Sequence, residues 1–231
     1  MVLRYLFLLS GLSLSAEWAV GGYLGGTRTL ENSIHIVQPN LATDVRLRGV
    51  QFTGRSFDAP VYYGFRVGFY PWNRVGFEGE FIHLKVYANV DRTIRTEGAV
   101  RGALFEEQVP MRQIAGQFSI SHGLNMLLGN IVLRHSFGRS RVLASIRLGA
   151  GPTIPHPETE LFGAFDEHYE SGRIAVQGAG GFEVRLWRGL YALAEYKYTW
   201  TDQRFRIHQG RASTIAQTHH LIGGVAWHFS P

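Results

Sequence analysis

The chain has 231 residues, no cysteine and a formal net charge of +5, and its mean hydropathy is −0.05. The missing cysteines exclude a disulfide framework, and the low hydropathy, with no run of 18 apolar residues beyond the N-terminal region, excludes a helical membrane protein. Lysine and arginine are scattered rather than clustered, so the positive charge does not predict a nucleic-acid partner.

The first predicted element is an N-terminal secretory signal over residues 1–16. Arg4 gives it a positively charged start, an apolar stretch runs to Leu14, and small residues follow. This order is typical of a signal peptide cleaved near Ser15 or Ala16. The apolar stretch is too short to cross a bilayer as a helix, which takes about 20 residues.

The remaining domain, residues 17–231, alternates apolar and polar side chains with the period of a β-strand. Tyr196 and Tyr198, for example, alternate with Glu195 and Lys197, so we predict that the tyrosines face lipid and the charged pair faces the lumen. Eight strands are predicted in this way, over residues 17–27, 60–70, 74–89, 113–136, 141–151, 173–186, 190–201 and 216–229.

The connections between these strands alternate between tight turns and long segments. The long segments cover residues 28–59, 90–112, 152–172 and 202–215. Short turns at one end and long loops at the other are typical of outer-membrane barrels, and an even strand count places both chain ends at the periplasmic side. We therefore predict an all-β fold, an eight-stranded antiparallel transmembrane β-barrel with short periplasmic turns and long outer loops, located in the bacterial outer membrane.

Two features leave alternatives to this fold. Segment 43–53 also reads as a strand, and we place it inside the first outer loop as an ordered extension, since a ninth barrel strand would require a parallel pair. A soluble lipocalin-like barrel is the competing architecture. That barrel would turn its apolar face inward, whereas here the alternate residues are charged and aromatic residues stand near strand ends, as in a membrane girdle.

The polar face of the predicted barrel carries basic and acidic residues in equal number. The basic residues are Arg66, Arg147, Arg185 and Lys197, and the acidic residues are Glu78, Glu80, Glu183 and Glu195. Charges in a confined interior are costly unless they are paired, and an eight-stranded barrel is just wide enough for side chains to fill it. We therefore predict a salt-bridged plug rather than a conducting pore.

Candidate reactive residues recur near the outer ends of the predicted strands. They are Glu80, His83, His122, His156 and Glu158. Histidine and glutamate serve as acids, bases and metal ligands, so the three histidines are predicted as metal ligands or proton-transfer groups and the two glutamates as their support. No spacing among these residues is a specific motif, and any single histidine is more often a structural residue.

Six stretches together resemble one family. They are 55–66, 80–87, 122–130, 149–158, 195–197 and 221–229. They are similar to segments of the lipid A oxidase-like outer-membrane β-barrel proteins, and the similarity covers most of the mature chain. It implies an enzyme that uses oxygen to convert the proximal glucosamine of lipid A into an aminogluconate unit. One departure is that Ser230 and Pro231 follow Phe229, where a terminal aromatic residue is the usual barrel-assembly signal.

The resemblance also implies a cofactor and partners. Oxidation by oxygen needs a redox metal or an organic cofactor, and without cysteine or a nucleotide-binding glycine pattern a divalent metal held by histidine and carboxylate is the economical choice. Its identity stays open. The expected partners are outer-membrane lipid, lipopolysaccharide and the barrel-assembly machinery, with Lys85 as a residue that would hold lipid phosphates.

Two other functions stay open. Many proteins of the resembled family are described only as barrels, so a non-enzymatic structural or surface-binding role for the long loops is the alternative. A lipid A deacylase, which uses a His–Ser pair, is less favoured. Ser121 directly precedes His122, and adjacent strand residues point to opposite faces unless a bulge intervenes.

Overall fold

The structure is a computed structural model that describes residues 14–137 and 141–230, and it consists of antiparallel β-strands and two short 3-10 turns, Pro39–Leu41 and Met111–Gln113. The strands are β1 (Leu14–Thr29), β2 (Asn32–Gln38), β3 (Thr43–Val50), β4 (Phe52–Thr53), β5 (Tyr63–Trp72), β6 (Val75–Ala88), β7 (Thr93–Val100), β8 (Ala103–Leu104), β9 (Gln108–Pro110), β10 (Ala115–Ser136), β11 (Val142–Leu161), β12 (Ala164–Glu167), β13 (Ile174–Trp187), β14 (Leu190–Ile207) and β15 (Gly210–Phe229). None of the helical turns in these ranges is long and apolar enough to cross a membrane.

The long strands form a closed ring. Its order is β1, β5, β6, β10, β11, β13, β14 and β15, and β1 pairs again with β15, from Trp18 opposite Phe229 to Thr29 opposite Thr218. The sequence predicted eight strands, whereas the described sheet contains fifteen. The ring passes through eight of them, and the shorter β2, β3, β4, β7, β8, β9 and β12 extend the sheet at one end. The predicted all-β antiparallel class is confirmed.

The two ends of the ring differ in how far the chain extends beyond the ring. Tight connections join β5 to β6 and β13 to β14 at one end, which we call the short-turn end, and β10 ends and β11 begins at this same end. At the other, the extended end, the prediction of long loops over 28–59, 90–112, 152–172 and 202–215 is wrong in part, because paired strands run through all four segments. There β11 continues to Leu161, and β14 and β15 form a hairpin around residues 208–209. The strand predicted within 43–53 is present as β3 and β4.

The predicted signal segment, residues 1–16, lies almost entirely outside the described residues. Its last three residues, 14–16, belong to β1, and the pairing of β1 with β5 is irregular between Leu14 and Glu17. Cleavage near this point stays a prediction, and so does the mature domain over 17–231.

The outside of the ring is an apolar belt. Every ring strand exposes at least one large apolar side chain, among them Val20, Phe65, Phe77, Ile131, Leu148, Phe182, Tyr196 and Leu221. Soluble proteins do not expose contiguous apolar surface on this scale, and a barrel wall of this kind faces lipid. The chain is therefore a β-barrel of the bacterial outer membrane, as predicted, and the belt excludes the lipocalin-like alternative.

The inside of the ring is charged. Arg66, Arg147, Lys197, Glu78, Glu80 and Glu195 are all buried there. Arg147 lies 2.7 Å from Glu78 and 2.5 Å from Glu195, while Lys197 contacts Glu80. Three cations and three carboxylates thus neutralise one another, which is the arrangement that a narrow interior requires. Lys197 is 0% exposed and Tyr196 is 50% exposed, so the strand phase predicted for this segment is right.

One predicted lumen charge lies elsewhere. Arg185 is exposed, because β13 reaches the short-turn end of the wall at this point and its pairing with β14 becomes irregular there. Near this end the interior charges are instead Arg134, which binds Glu17 at 2.5 Å, and His228, which lies 2.7 Å from Glu183.

The polarity of the interior reverses at the extended end. Apolar side chains fill it, including Ile34, Ile36, Leu47, Ile94, Phe118, Phe205 and Ile207. On β14 the inward face changes from Lys197 to Phe205 without a change of phase. The wall of the extended end presents polar residues outward, as a protein surface in water does, and this end closes over the ring with an ordinary hydrophobic core.

Candidate functional site

A β-bulge in β10 is the starting point of the candidate site. Residues 121–123 of β10 stand opposite His156 alone on β11, so two extra residues are inserted in the ladder. Gly123 adopts a φ of +119°, and a Cβ at this position would lie 2.5 Å from the His83 ring. Both the backbone conformation and the close approach require glycine. The bulge breaks the side-chain alternation and re-aims its residues.

Four side chains with metal-ligand atoms converge beside this bulge. One ligand atom from each of His122, His156, Glu158 and Glu167 lies within 4.8 Å of the other three. His122 Nδ1 is 2.6 Å from Glu158 Oε1, and His156 Nε2 is 3.4 Å from Glu167 Oε1. Strands β10, β11 and β12 supply them, so the site exists only when three strands are paired.

The two carboxylates of this cluster occupy an unfavourable position. Glu158 and Glu167 are directly opposite each other in the β11–β12 ladder. Like charges in that position destabilise an antiparallel pair, and a cation between them reverses the sign of the interaction. Ligands about 2.0–2.2 Å from one ion lie about 3–4.4 Å apart. The donor atoms are therefore already close to the spacing that a divalent metal imposes.

The pKa shifts at the site favour the protonation states in which histidine and glutamate bind a metal. Burial lowers the pKa of His156, and the neighbouring His122 lowers it further, so this imidazole is neutral at pH 7. Burial raises the pKa of Glu158, but hydrogen bonds from Ser121 and His122 outweigh that effect and leave its pKa below the usual value. The buried Nδ1 of His156 has no hydrogen-bond partner among the described residues. An unpartnered buried nitrogen beside two carboxylates fits a metal ligand.

Three of the five predicted site residues, His122, His156 and Glu158, come together, and two do not. His83 packs against the bulge and places its Nδ1 2.8 Å from Asn125 Oδ1, but it gives no atom to the four-residue cluster. Glu80 lies in the charged interior of the ring, beside Lys197.

Sequence reasoning missed the fourth member of the cluster. Glu167 fell inside a predicted open loop, and the signal that would have found it is the turn at Phe162 and Gly163, which returns β12 along β11. Lys85, predicted to hold lipid phosphates, is instead buried. Its Nζ donates a hydrogen bond to the Asp58 carbonyl at 3.0 Å.

The bulge also brings Ser121 against His122, a contact that regular alternation forbids. Ser121 Oγ lies 3.3 Å from His122 Nδ1 and donates a hydrogen bond to Glu158. Ser121 Oγ and the Glu158 carboxylate therefore both contact Nδ1 of His122. A nucleophile–base–orienter relay instead needs them on opposite nitrogens of the ring.

Comparisons with known proteins are limited to the overall fold. No protein-family model matches the chain, and no curated protein matches it significantly in sequence. Neisserial surface protein A is 9% identical, with 93% of this chain and 98% of that chain covered and a TM-score of 0.44. The outer membrane protein AlkL is 11% identical, covering 94% and 92% with a TM-score of 0.45. The outer membrane protease OmpT from Escherichia coli is 8% identical, covering 94% and 99% with a TM-score of 0.45.

Proposed function

We propose that this outer-membrane barrel holds a divalent metal between His122, His156, Glu158 and Glu167 and uses the site to oxidise the proximal glucosamine of lipid A. The observation that carries the metal site is the direct opposition of two glutamates beside two histidines. The substrate rests on the resemblance of the sequence to lipid A oxidase-like barrels.

The donor set suits oxygen chemistry. Two histidines and one carboxylate around an ion with open positions form the ligand set of non-haem iron oxygenases. His122, His156 and Glu158 supply such a set. Of the two carboxylates, Glu167 is the more exposed, at 40% against 11% for Glu158, so it is the carboxylate that a substrate hydroxyl would displace.

The proposed reaction balances with oxygen as the oxidant. The anomeric carbon of the glucosamine, as a free hemiacetal, loses two electrons and two protons and becomes a lactone. Molecular oxygen accepts the two electrons and the two protons and leaves as hydrogen peroxide. Water then opens the lactone to the aminogluconate, so the product carries one oxygen more than the substrate. A metal held by His122, His156 and Glu158 would supply the electron path, and Glu167, once displaced from the metal, would accept the hydroxyl proton.

The position of the site supports a lipid headgroup as substrate. We infer that the eight-stranded ring is the membrane-spanning part and that the extended end faces outward, with short turns in the periplasm. Ile154 is the last exposed apolar residue of β11, and His156 follows it by two residues, about 7 Å along the strand. The cluster therefore stands just above the hydrocarbon, where glucosamine lies. Delivery there requires the signal peptide and the barrel-assembly machinery.

The decisive test expresses the protein in a host that lacks lipid A oxidation and makes lipid A with a free anomeric position. The mass spectrum of its lipid A should gain a species with one added oxygen. His122→Ala and His156→Ala should abolish that species, while His135→Ala, which changes an exposed histidine at the short-turn end, should not. Metal content of the purified barrel is measured separately. A bound metal with unchanged lipid A would refute the oxidation but retain the metal site, and absence of both would leave a structural or surface-binding barrel.

A second enzyme function has one observation in its favour, the contact of Ser121 with His122 and Glu158. In a lipid A deacylase the serine would attack an ester carbonyl. The same spectra would then show loss of one acyl chain instead of a gained oxygen, and Ser121→Ala would abolish it. Because serine and glutamate share one imidazole nitrogen, we rank this function second.

A further inference from the structure

A cationic face covers the outer side of the extended end on strands other than those of the metal cluster. It consists of Arg46, Arg204, Arg206 and Arg211, with His35 among them. The register places them side by side across β14, β15, β2 and β3: Arg204 is opposite Ser213, Ser213 is opposite His35, and His35 is opposite Arg46. Neighbouring strands are about 4.8 Å apart, so this row is about 14 Å long.

The cationic face is concave. A groove of about 600 Å³ runs along it, and Arg46, Arg204, Arg211, His35, Trp200 and Asp202 line the groove. Its only carboxylate is that of Asp202 among the lining residues described, and this group already serves Arg204 at 3.2 Å and Arg173 at 3.6 Å. The groove is thus a preformed site of positive charge.

The charge on this face is only partly balanced within the chain, since Glu170 lies 3.5 Å from Arg206 and Asp44 lies 2.7 Å from His35. Arg206 and Arg211 are directly opposite each other, a pairing of like charges that destabilises a sheet. Arg46 and Arg211 form no ion pair with any described residue, and Glu97, the cross-strand neighbour of Arg46, is bound by Arg48 at 2.5 Å. An external anion is the missing partner.

The height of the groove narrows the identity of that anion. Along β14 the exposed apolar residue Tyr196 is followed by the half-buried Trp200 and then by Arg204. Tryptophan is typical of the membrane interface. Arg204 is four residues further, about 13 Å along the strand and about 10 Å above Trp200 for the usual barrel tilt. This is the level of the phosphates and first sugars of lipopolysaccharide, the anionic glycolipid of the outer leaflet.

We propose that the groove binds the phosphorylated headgroup of one lipopolysaccharide molecule beside the barrel, with Arg46, Arg204 and Arg211 as its phosphate ligands. Planar guanidinium groups suit phosphate oxygens through paired hydrogen bonds. Trp200 contacts the glycolipid at the membrane interface. This site is independent of the metal cluster and stands whether or not the barrel is an enzyme.

The test titrates lipopolysaccharide into the full-length mature barrel, refolded in neutral detergent, at low and at physiological salt. The variant Arg46→Gln/Arg204→Gln/Arg211→Gln should bind about a hundredfold more weakly, because each arginine near such a surface contributes about fivefold. Its binding should also depend less on salt. The control variant Arg141→Gln/Arg185→Gln/Arg188→Gln makes the same charge change with exposed residues at the short-turn end and should bind like the parent protein.

Two further comparisons separate recognition of phosphate from attraction by charge alone. A triple Arg→Lys variant of the groove keeps the charge and the fold, and it should lose affinity by an intermediate factor because lysine makes no bidentate contact. Dephosphorylated lipopolysaccharide should bind as weakly as phosphatidylcholine micelles. The proposal is overturned if the two glutamine variants weaken binding equally, if phosphatidylglycerol competes as well as lipopolysaccharide, or if removal of phosphate has no effect.

Discussion

Replacing Lys197 by methionine would remove one buried charge while keeping the length of the side chain. Lys197 contacts Glu80, and its Nζ lies 3.3 Å from Glu195 Oε1. For an effective dielectric constant of about 20, a pair at that distance attracts by about 5 kcal/mol before desolvation is counted. Breaking a buried pair by removing one partner costs about 3–5 kcal/mol.

Because Glu80 keeps other hydrogen bonds, we expect the loss in the free energy of unfolding to lie near the lower limit of this range. Glu80 would still accept a hydrogen bond from Tyr23 at 2.7 Å and from Asn130 at 2.9 Å. We expect Lys197→Met and Glu80→Gln each to lower the free energy of unfolding by about 3 kcal/mol. The double variant should also lose only about 3 kcal/mol, which gives a coupling of about 3 kcal/mol, because neither charge is then left alone.

The assay is urea unfolding of the barrel in lipid vesicles, followed by tryptophan fluorescence. Pairing Lys197→Met with Glu31→Gln, an exposed residue at the extended end, provides a control for which the two losses should simply add. Additive losses for Lys197→Met and Glu80→Gln would refute the neutralised interior as the source of stability, and with it the account of the charged plug.

Three further predictions address the belt, the bulge and the titration of the site. Leu221→Arg, on the lipid-facing belt, should lower the free energy of unfolding by about 2–4 kcal/mol. A loss smaller than that of an arginine substitution at the membrane edge would contradict the placement of Leu221 in this belt. Gly123→Ala should cost about 1–3 kcal/mol and weaken metal binding measured by calorimetry, whereas Gly79→Ala, with nothing within 4 Å of its Cβ, should leave binding intact. In chelator-treated protein, NMR should show the pKa of His156 below its usual value of 6.5 and shifted upward in His122→Ala. Since the unfolded state binds this proton more tightly, His156 should lower stability as pH falls through 6.5; an unchanged pKa in the variant would contradict the coupling.

The site shows where sequence reasoning succeeds. The strand carrying His122 was found because alternation is a local property that needs no knowledge of partners, whereas His156 and Glu158 were assigned to a loop although β11 continues through them. Their convergence was not visible, because Ser121–Gly123 reads as an ordinary strand segment and the bulge depends on how Gly123 meets the ring of His83. The bulge then decides which way each side chain points.

What the sequence by itself determined about this protein is the ring. Exposed tyrosine beside buried lysine on β14 follows from a two-residue period, and the apolar belt follows from burial of every second residue against lipid. What only the tertiary structure decided is the extended end. There the inward face is apolar because water replaces lipid outside, so the same alternation continues with a different environment on each side. The pairings of β2 with β15 and of β3 with β7 join segments that are far apart in the sequence, and no local pattern records them.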